Sequence, residues 1–170
     1  PHPYGLTLSP DGKIAVTANS GTSPLSFTIV RNILSEHPEV QQVPPGANTD
    51  KGILASVFMG LAISPDNSKV YVAGGQENKV YIFDLKTGEA DGFISCSAVT
   101  EQRDYSHGYI GDLKLSKDGK WIYAVDQIGF RMVILDTESK EVVDAMRYFF
   151  DFVKWFAANY NEDEPELPAL

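Results

Sequence analysis

Three stretches of the chain repeat one pattern: LSPDGKIAVTAN from Leu8, ISPDNSKVYVAGG from Ile63 and LSKDGKWIYAVDQ from Leu115. Ser9 to Ser64 spans 55 residues, and Ser64 to Ser116 spans 52. A second marker keeps step with the first, because YIFDLKTGE and MVILDTESKE place Asp84 and Asp136 the same 52 residues apart. Two markers on one period identify a repeat array, which constrains the fold more than any single motif does.

The second copy shows what one repeat builds. GLAIS alternates apolar and polar positions as a short strand does. PDNS is a turn, with Pro65 fixing φ and Asp66 and Asn67 suited to local hydrogen bonding or left-handed geometry. KVYVAGG and VYIFDL are rich in β-branched and aromatic residues and read as two more strands. KTG turns the chain into EADGFISC, the fourth. The third copy follows the same plan through DLKLS, KWIYAVD, FRMVILD and EVVDAM. Four short antiparallel strands in about 50 residues make a β-propeller blade. A β-sandwich requires no such period, and a helical solenoid requires apolar spacing near 3.6, whereas these segments alternate by two. The expected fold is therefore all-β: an incomplete propeller of about three four-stranded blades, at 1–58, 59–108 and 109–147. The first blade is expected to carry an insertion over about 32–52, where SEHPEVQQVPPGANTDKG is punctuated by Pro and Gly.

The strand ends carry a resemblance. Ala15-Val16-Thr17-Ala18-Asn19, Tyr71-Val72-Ala73-Gly74-Gly75 and Tyr123-Ala124-Val125-Asp126 are variants of the Tyr-Val-Thr-Asn signature, and each follows a version of the Ser9-Pro10-Asp11-Gly12 turn. Residues 1–147 thus resemble the YVTN-repeat (lactonase-like) β-propeller family. YIGDLKLSKDGKWIYAVDQIGFRMVILDT further resembles bacterial extracytoplasmic propellers that are in some cases fused to an alkaline-phosphatase-type phosphoesterase. The resemblance implies the blade fold and a secreted or periplasmic location. It leaves function open, because one scaffold hosts many activities.

The fourth copy never starts. In RYFFDFVKWFAANYNEDEPELPAL, Met146, Phe149, Phe150, Val153, Phe156, Ala157 and Tyr160 recur at helical spacing, which predicts an amphipathic helix and acidic tail over 148–170. The aromatic face of that helix is expected to pack on the last blade. Propellers close with four to eight blades, so three should leave open sheet edges that recruit missing blades or a second copy. A start at Pro1, with no initiator methionine or signal peptide, suggests a processed or excised piece.

Net charge of −9 and the lack of a basic cluster argue against nucleic acid as a partner. No apolar run approaches the roughly 18 residues of a membrane span. The lone Cys96 reads as a buried strand thiol. No metal-ligand spacing, phosphate loop or nucleophile motif is present, so neither a cofactor, a metal nor a catalytic residue is assigned.

Propeller topology does single out one face. The loops joining second to third strands lie beside the lead-ins to the innermost strands, around the channel mouth where propellers bind ligands. That face should gather His2, Tyr4, Asn19, Gln76, Asp104, Tyr105, His107, Asp126, Gln127 and Arg131. Histidines beside carboxylates suit acid–base chemistry or ligand contact, but strand-ending Asn19 and Asp126 suit turn formation equally well. His37, on the insertion, should face solvent. Asp11, Asp66 and Asp118 recur with the repeat and should be structural, and Asp84 and Asp136 should organise the turns that follow them. The leading reading is a noncatalytic binding or scaffold module taking an unknown small molecule or protein at the mouth. The alternative is a piece of a propeller enzyme, lactonase-like or part of a phosphoesterase fusion.

Overall fold

The computed structural model describes residues 3–20, 25–43, 56–99 and 104–146. Every regular element among them is a strand, and the twelve strands form three four-stranded antiparallel sheets, each in sequential order. Blade 1 comprises β1 (Gly5–Leu8), β2 (Ile14–Asn19), β3 (Ser26–Arg31) and β4 (Glu39–Val43). Blade 2 comprises β5 (Leu61–Ile63), β6 (Lys69–Ala73), β7 (Lys79–Asp84) and β8 (Ala90–Ser95). Blade 3 comprises β9 (Ile110–Leu115), β10 (Trp121–Asp126), β11 (Arg131–Asp136) and β12 (Val142–Met146). The innermost strands β1, β5 and β9 lie side by side, which is a propeller-like arrangement. The helix and tail expected over 148–170 lie outside the described residues.

One element differs from the expectation. β4 lies inside the 32–52 stretch read as an insertion, and it pairs with β3 from Phe27↔Val43 to Arg31↔Glu39. EVQQV lacks the apolar alternation of its counterparts because only Val43 of the five is buried. The strand is held through polar contacts instead, with Gln41 Nε2 donating to the Thr87 carbonyl at 2.8 Å.

The repeat serine builds the same turn three times. Ser9, Ser64 and Ser116 each donate to the aspartate two residues on, Oγ to Oδ1 at 2.6 Å. Each Oγ also accepts the amide five residues on, from Ile14, Lys69 or Trp121, at 2.9 Å. Asp84 accepts the amides of Lys86 and Thr87, and Asp136 those of Glu138 and Ser139, closing the third-to-fourth-strand turns. Blade 1 has Arg31 at the matching position, and its Nη2 crosses to blade 2 to reach the carbonyls of Leu85 and Lys86 at 2.8 and 2.9 Å.

These turns carry a pH signature. Hydrogen bonds from Ser64 and Ser68 lower the Asp66 carboxyl from 3.8 to about 2. Asp11 and Asp118 are lowered as well, first by the hydroxyl of their own serine. A carboxyl whose folded pKa lies below its unfolded one adds stability in full above the unfolded value, and that stability is lost as the pH falls through the folded value. Melting temperature should therefore drop as pH is lowered from 3.8 toward 2. Ser64→Ala should cost about 1 kcal/mol at neutral pH and make the acid limb shallower, because its main cause is gone. An acid limb of unchanged depth in that variant would show that the turn plays no part in it.

Burial follows position in the array. Blade 2 is covered on both faces, so β6 and β7 are buried almost without alternation, as KVYVA and KVYIF suggest. Val16, Ala18, Phe27 and Ile29 of blade 1 pack on Leu61, Ile63, Val70, Val72, Tyr81 and Phe83 of blade 2. Tyr71, Ala73, Val80 and Ile82 on its other face pack on Leu113, Ile122, Ala124, Val133 and Leu135 of blade 3. β10 and β11 bury every second residue, because only one face of blade 3 meets blade 2. Near the axis the inner strands touch through glycine. Gly60 donates to the Gly111 carbonyl at 3.1 Å, and a Cβ on Gly60 would stand 2.6 Å from the backbone nitrogen of Leu113.

Candidate functional site

At the end of blades 2 and 3 where β6 meets β7 and β10 meets β11, the loops are tied together by backbone. Gly75 and Ile110 exchange two amide–carbonyl bonds, at 3.1 and 2.9 Å, joining the β6–β7 turn to the innermost strand of the next blade. The Gln127 amide donates to the Tyr109 carbonyl at 2.8 Å. The rings of Phe58 and Tyr109 meet edge to face at 5.1 Å.

Beneath these loops lies a buried ion pair. Asp126 ends β10 and Arg131 begins β11, and neither side chain has any exposure. Arg131 Nε donates to Asp126 Oδ2 at 2.9 Å, while Oδ1 accepts the amides of Tyr109 and Gly129, each at 2.9 Å. Arg131 Nη2 donates to the Cys96 carbonyl at 2.6 Å, and the guanidinium lies over the Tyr105 ring, 4.2 Å from its centroid. Asn78, in left-handed geometry at φ 50°, donates through Nδ2 to Ser97 Oγ and to the carbonyls of Tyr105 and Ser106. Both Asp126 and Arg131 thus act as cross-braces, joining β8, the lead-in to β9 and the β10–β11 loop. Burial pushes the Cys96 thiol up to about 12, against the opposing pull of Arg131, so the sulfur is a protonated packing group at neutral pH.

The face expected from the repeat divides accordingly. Asp126, Arg131 and Tyr105 come together but are buried. Asn19 is buried in blade 1, its amide donating to Ser26 Oγ at 3.1 Å and Thr28 Oγ1 at 2.8 Å. Gln76, Asp104, His107 and Gln127 reach solvent at the same end. The Ser106 hydroxyl, and after it the Ser106 amide that Asp104 accepts at 2.7 Å, hold the Asp104 carboxyl below the usual range. Tyr4 is 60% exposed at the lead-in to β1. His2 lies outside the described residues. His37 is exposed on the loop before β4.

The apolar half of the mouth escaped the sequence reading. Met59, Ile128 and Phe130 are exposed there, at 44%, 60% and 61%. The signal available was the apolar VFM run directly before Gly60 and the IGF run inside a turn, both out of place in polar loops. Among the described residues no three His, Cys, Asp or Glu side chains gather as a metal-binding group.

No family model matches the chain, and no curated protein matches it. Among solved structures it superposes on Kuenenia stuttgartiensis hydrazine synthase with a TM-score of 0.62 and 22% identity, over 85% of this chain and 35% of that one. The chain therefore spans about a third of that neighbour's length. A likeness at this identity carries the fold alone.

Proposed function

We propose that this chain is a noncatalytic binding or scaffold module, part of a secreted or periplasmic bacterial propeller of the YVTN-repeat type. The observation that carries the reading is the state of Asp126 and Arg131. The carboxylate and guanidinium best placed for chemistry at the mouth are buried, and they brace the blades rather than face a ligand. What faces solvent is a mixed rim of Tyr4, Gln76, His107 and Gln127 beside apolar Met59, Ile128 and Phe130. A few polar groups among apolar contact surface suit recognition of a small molecule or a protein loop. The repeated strand-ending signature and the threefold Ser–Asp turn support the family reading, and the extracytoplasmic location follows from that resemblance.

The exposed His107 and Asp104 sustain the competing enzyme reading, because a histidine beside a carboxylate is a minimal acid–base pair. Incubating the 170-residue chain with an aliphatic lactone and a chromogenic phosphoester separates the two. No turnover above buffer is the expected result. Turnover that disappears in His107→Ala would overturn the binding-module reading.

A further inference from the structure

Each interior blade contact joins two different faces in a fixed order. The leading face of one blade, as in Phe27 and Ile29 or Val80 and Ile82, meets the trailing face of the next, as in Tyr81 and Phe83 or Val133 and Leu135. Among the described residues, the three blades therefore leave two faces over, and these are of opposite kind. Blade 1 keeps a trailing face. Register places Leu6 beside Thr17 and Leu8 beside Ala15, with Val30 and Val40 completing the row. Leu6, Leu8 and Val40 are 68%, 54% and 69% exposed. Blade 3 keeps a leading face, where Tyr123, Val125, Met132 and Ile134 alternate with the buried residues of β10 and β11 and are half-buried.

We infer that in the 170-residue chain these two faces dock on each other between two copies, head to tail, so that the six blades of the pair close one ring. Three observations support this occupant. The two open faces stand at the same repeat positions as the faces that already pack inside the chain, so the contact continues an existing interface. The faces are unlike, which favours a heterologous contact over a self-complementary one. A heterologous contact used twice closes if the rotation per blade allows it, and six blades fall within the four to eight at which propellers close. Blade 3 departs from the pattern in one place. Asp112 and Lys114 stand near the axis, where the corresponding leading-face positions of blade 2 are Gly60 and Ala62. Their opposite signs on one face offset each other, and the net charge of −9 per copy remains to be screened. Association should therefore tighten as salt is added. In the ring, each copy supplies half of the mouth, so that Tyr4 of one copy closes the rim left open beside Ile128 and Phe130 of the other. The inference rests on blade faces and is independent of what the mouth binds.

Sedimentation of the full chain at micromolar to submillimolar concentration tests it. A species of twice 18.7 kDa is expected, with its dissociation constant falling as salt rises. A monomer across that range, whether the blade 3 face is covered by other parts of the chain or left bare, overturns the proposal, and so does open-ended growth with concentration. Two variants test the geometry. Leu8→Glu damages only the trailing face and Ile134→Glu only the leading face, so each alone should be monomeric. Mixed together, they should recover a dimer, because the intact leading face of the first meets the intact trailing face of the second. Loss of dimer in one variant alone, or no recovery on mixing, would show that the contact is not head to tail. Circular dichroism of each variant confirms that it is folded, and the behaviour of the unmodified chain decides the proposal if either is not.

Discussion

Asp126→Ala is expected to destabilise the chain by about 3–5 kcal/mol, a large fraction of the roughly 5–15 kcal/mol available to a domain. The carboxylate satisfies three donors at once: Arg131 Nε and the amides of Tyr109 and Gly129. Removing it leaves a fully buried guanidinium facing nothing that can neutralise it, and the desolvation of that charge goes uncompensated. Arg131→Met should cost less than Asp126→Ala, because the stranded carboxylate keeps two backbone amides. The double variant Asp126→Asn with Arg131→Met should recover part of the loss, since the amide oxygen can still accept those donors and no buried charge remains. Urea midpoints followed by far-ultraviolet circular dichroism measure all three. A loss from Asp126→Ala within the range of an exposed pair, below about 1 kcal/mol, would show that the pair does not brace the blades.

Gly60→Ala should destabilise by about 1–3 kcal/mol although it adds a single methyl group. The new Cβ would fall 2.6 Å from the Leu113 nitrogen and 2.7 Å from the Asp112 Cα, and both are backbone atoms of the next inner strand. Neither can rotate away, and a retreat of β9 would stretch the Gly60–Gly111 hydrogen bond that fixes the two blades near the axis. Gly12→Ala provides the contrast. Its Cβ would meet nothing within 4 Å, yet its φ of +69° lies in left-handed space, where a side chain costs roughly 1–2 kcal/mol. The Gly12 variant should lose stability with its blade contacts intact. The Gly60 variant should also lose protection against hydrogen exchange at the Gly75 and Ile110 amides, which join the same two blades. Unchanged protection at those amides would show that the inner strands tolerate separation.

The blade architecture was written in the chain because its information is local. Strands of β-branched residues and a Ser-x-Asp turn each act within a few residues of themselves, and the repeat near 52 residues copies that local information from blade to blade. The turn aspartates were legible as structural for the same reason: a carboxylate two residues after its serine can reach it whatever the rest of the chain does. β4 was harder to see, since it is polar and one of its anchors, the Gln41 amide on the Thr87 carbonyl, lies 46 residues away in blade 2.

The mouth was only half legible. Topology placed Asp104, Tyr105, His107, Asp126 and Arg131 at one end, but whether such a residue faces a ligand or a neighbouring blade depends on distances that no spacing encodes. Asp126 and Arg131 are five residues apart across a tight turn, a separation equally consistent with an exposed pair. It is the carbonyl of Cys96 and the ring of Tyr105, brought in from blade 2 and the loop that follows it, that bury the guanidinium and turn the pair into a brace. The sequence by itself determined the blades and their turns, because hydrogen bonds between near neighbours decide them. Only the tertiary structure decided which polar groups remain free, because burial is set by what packs on top.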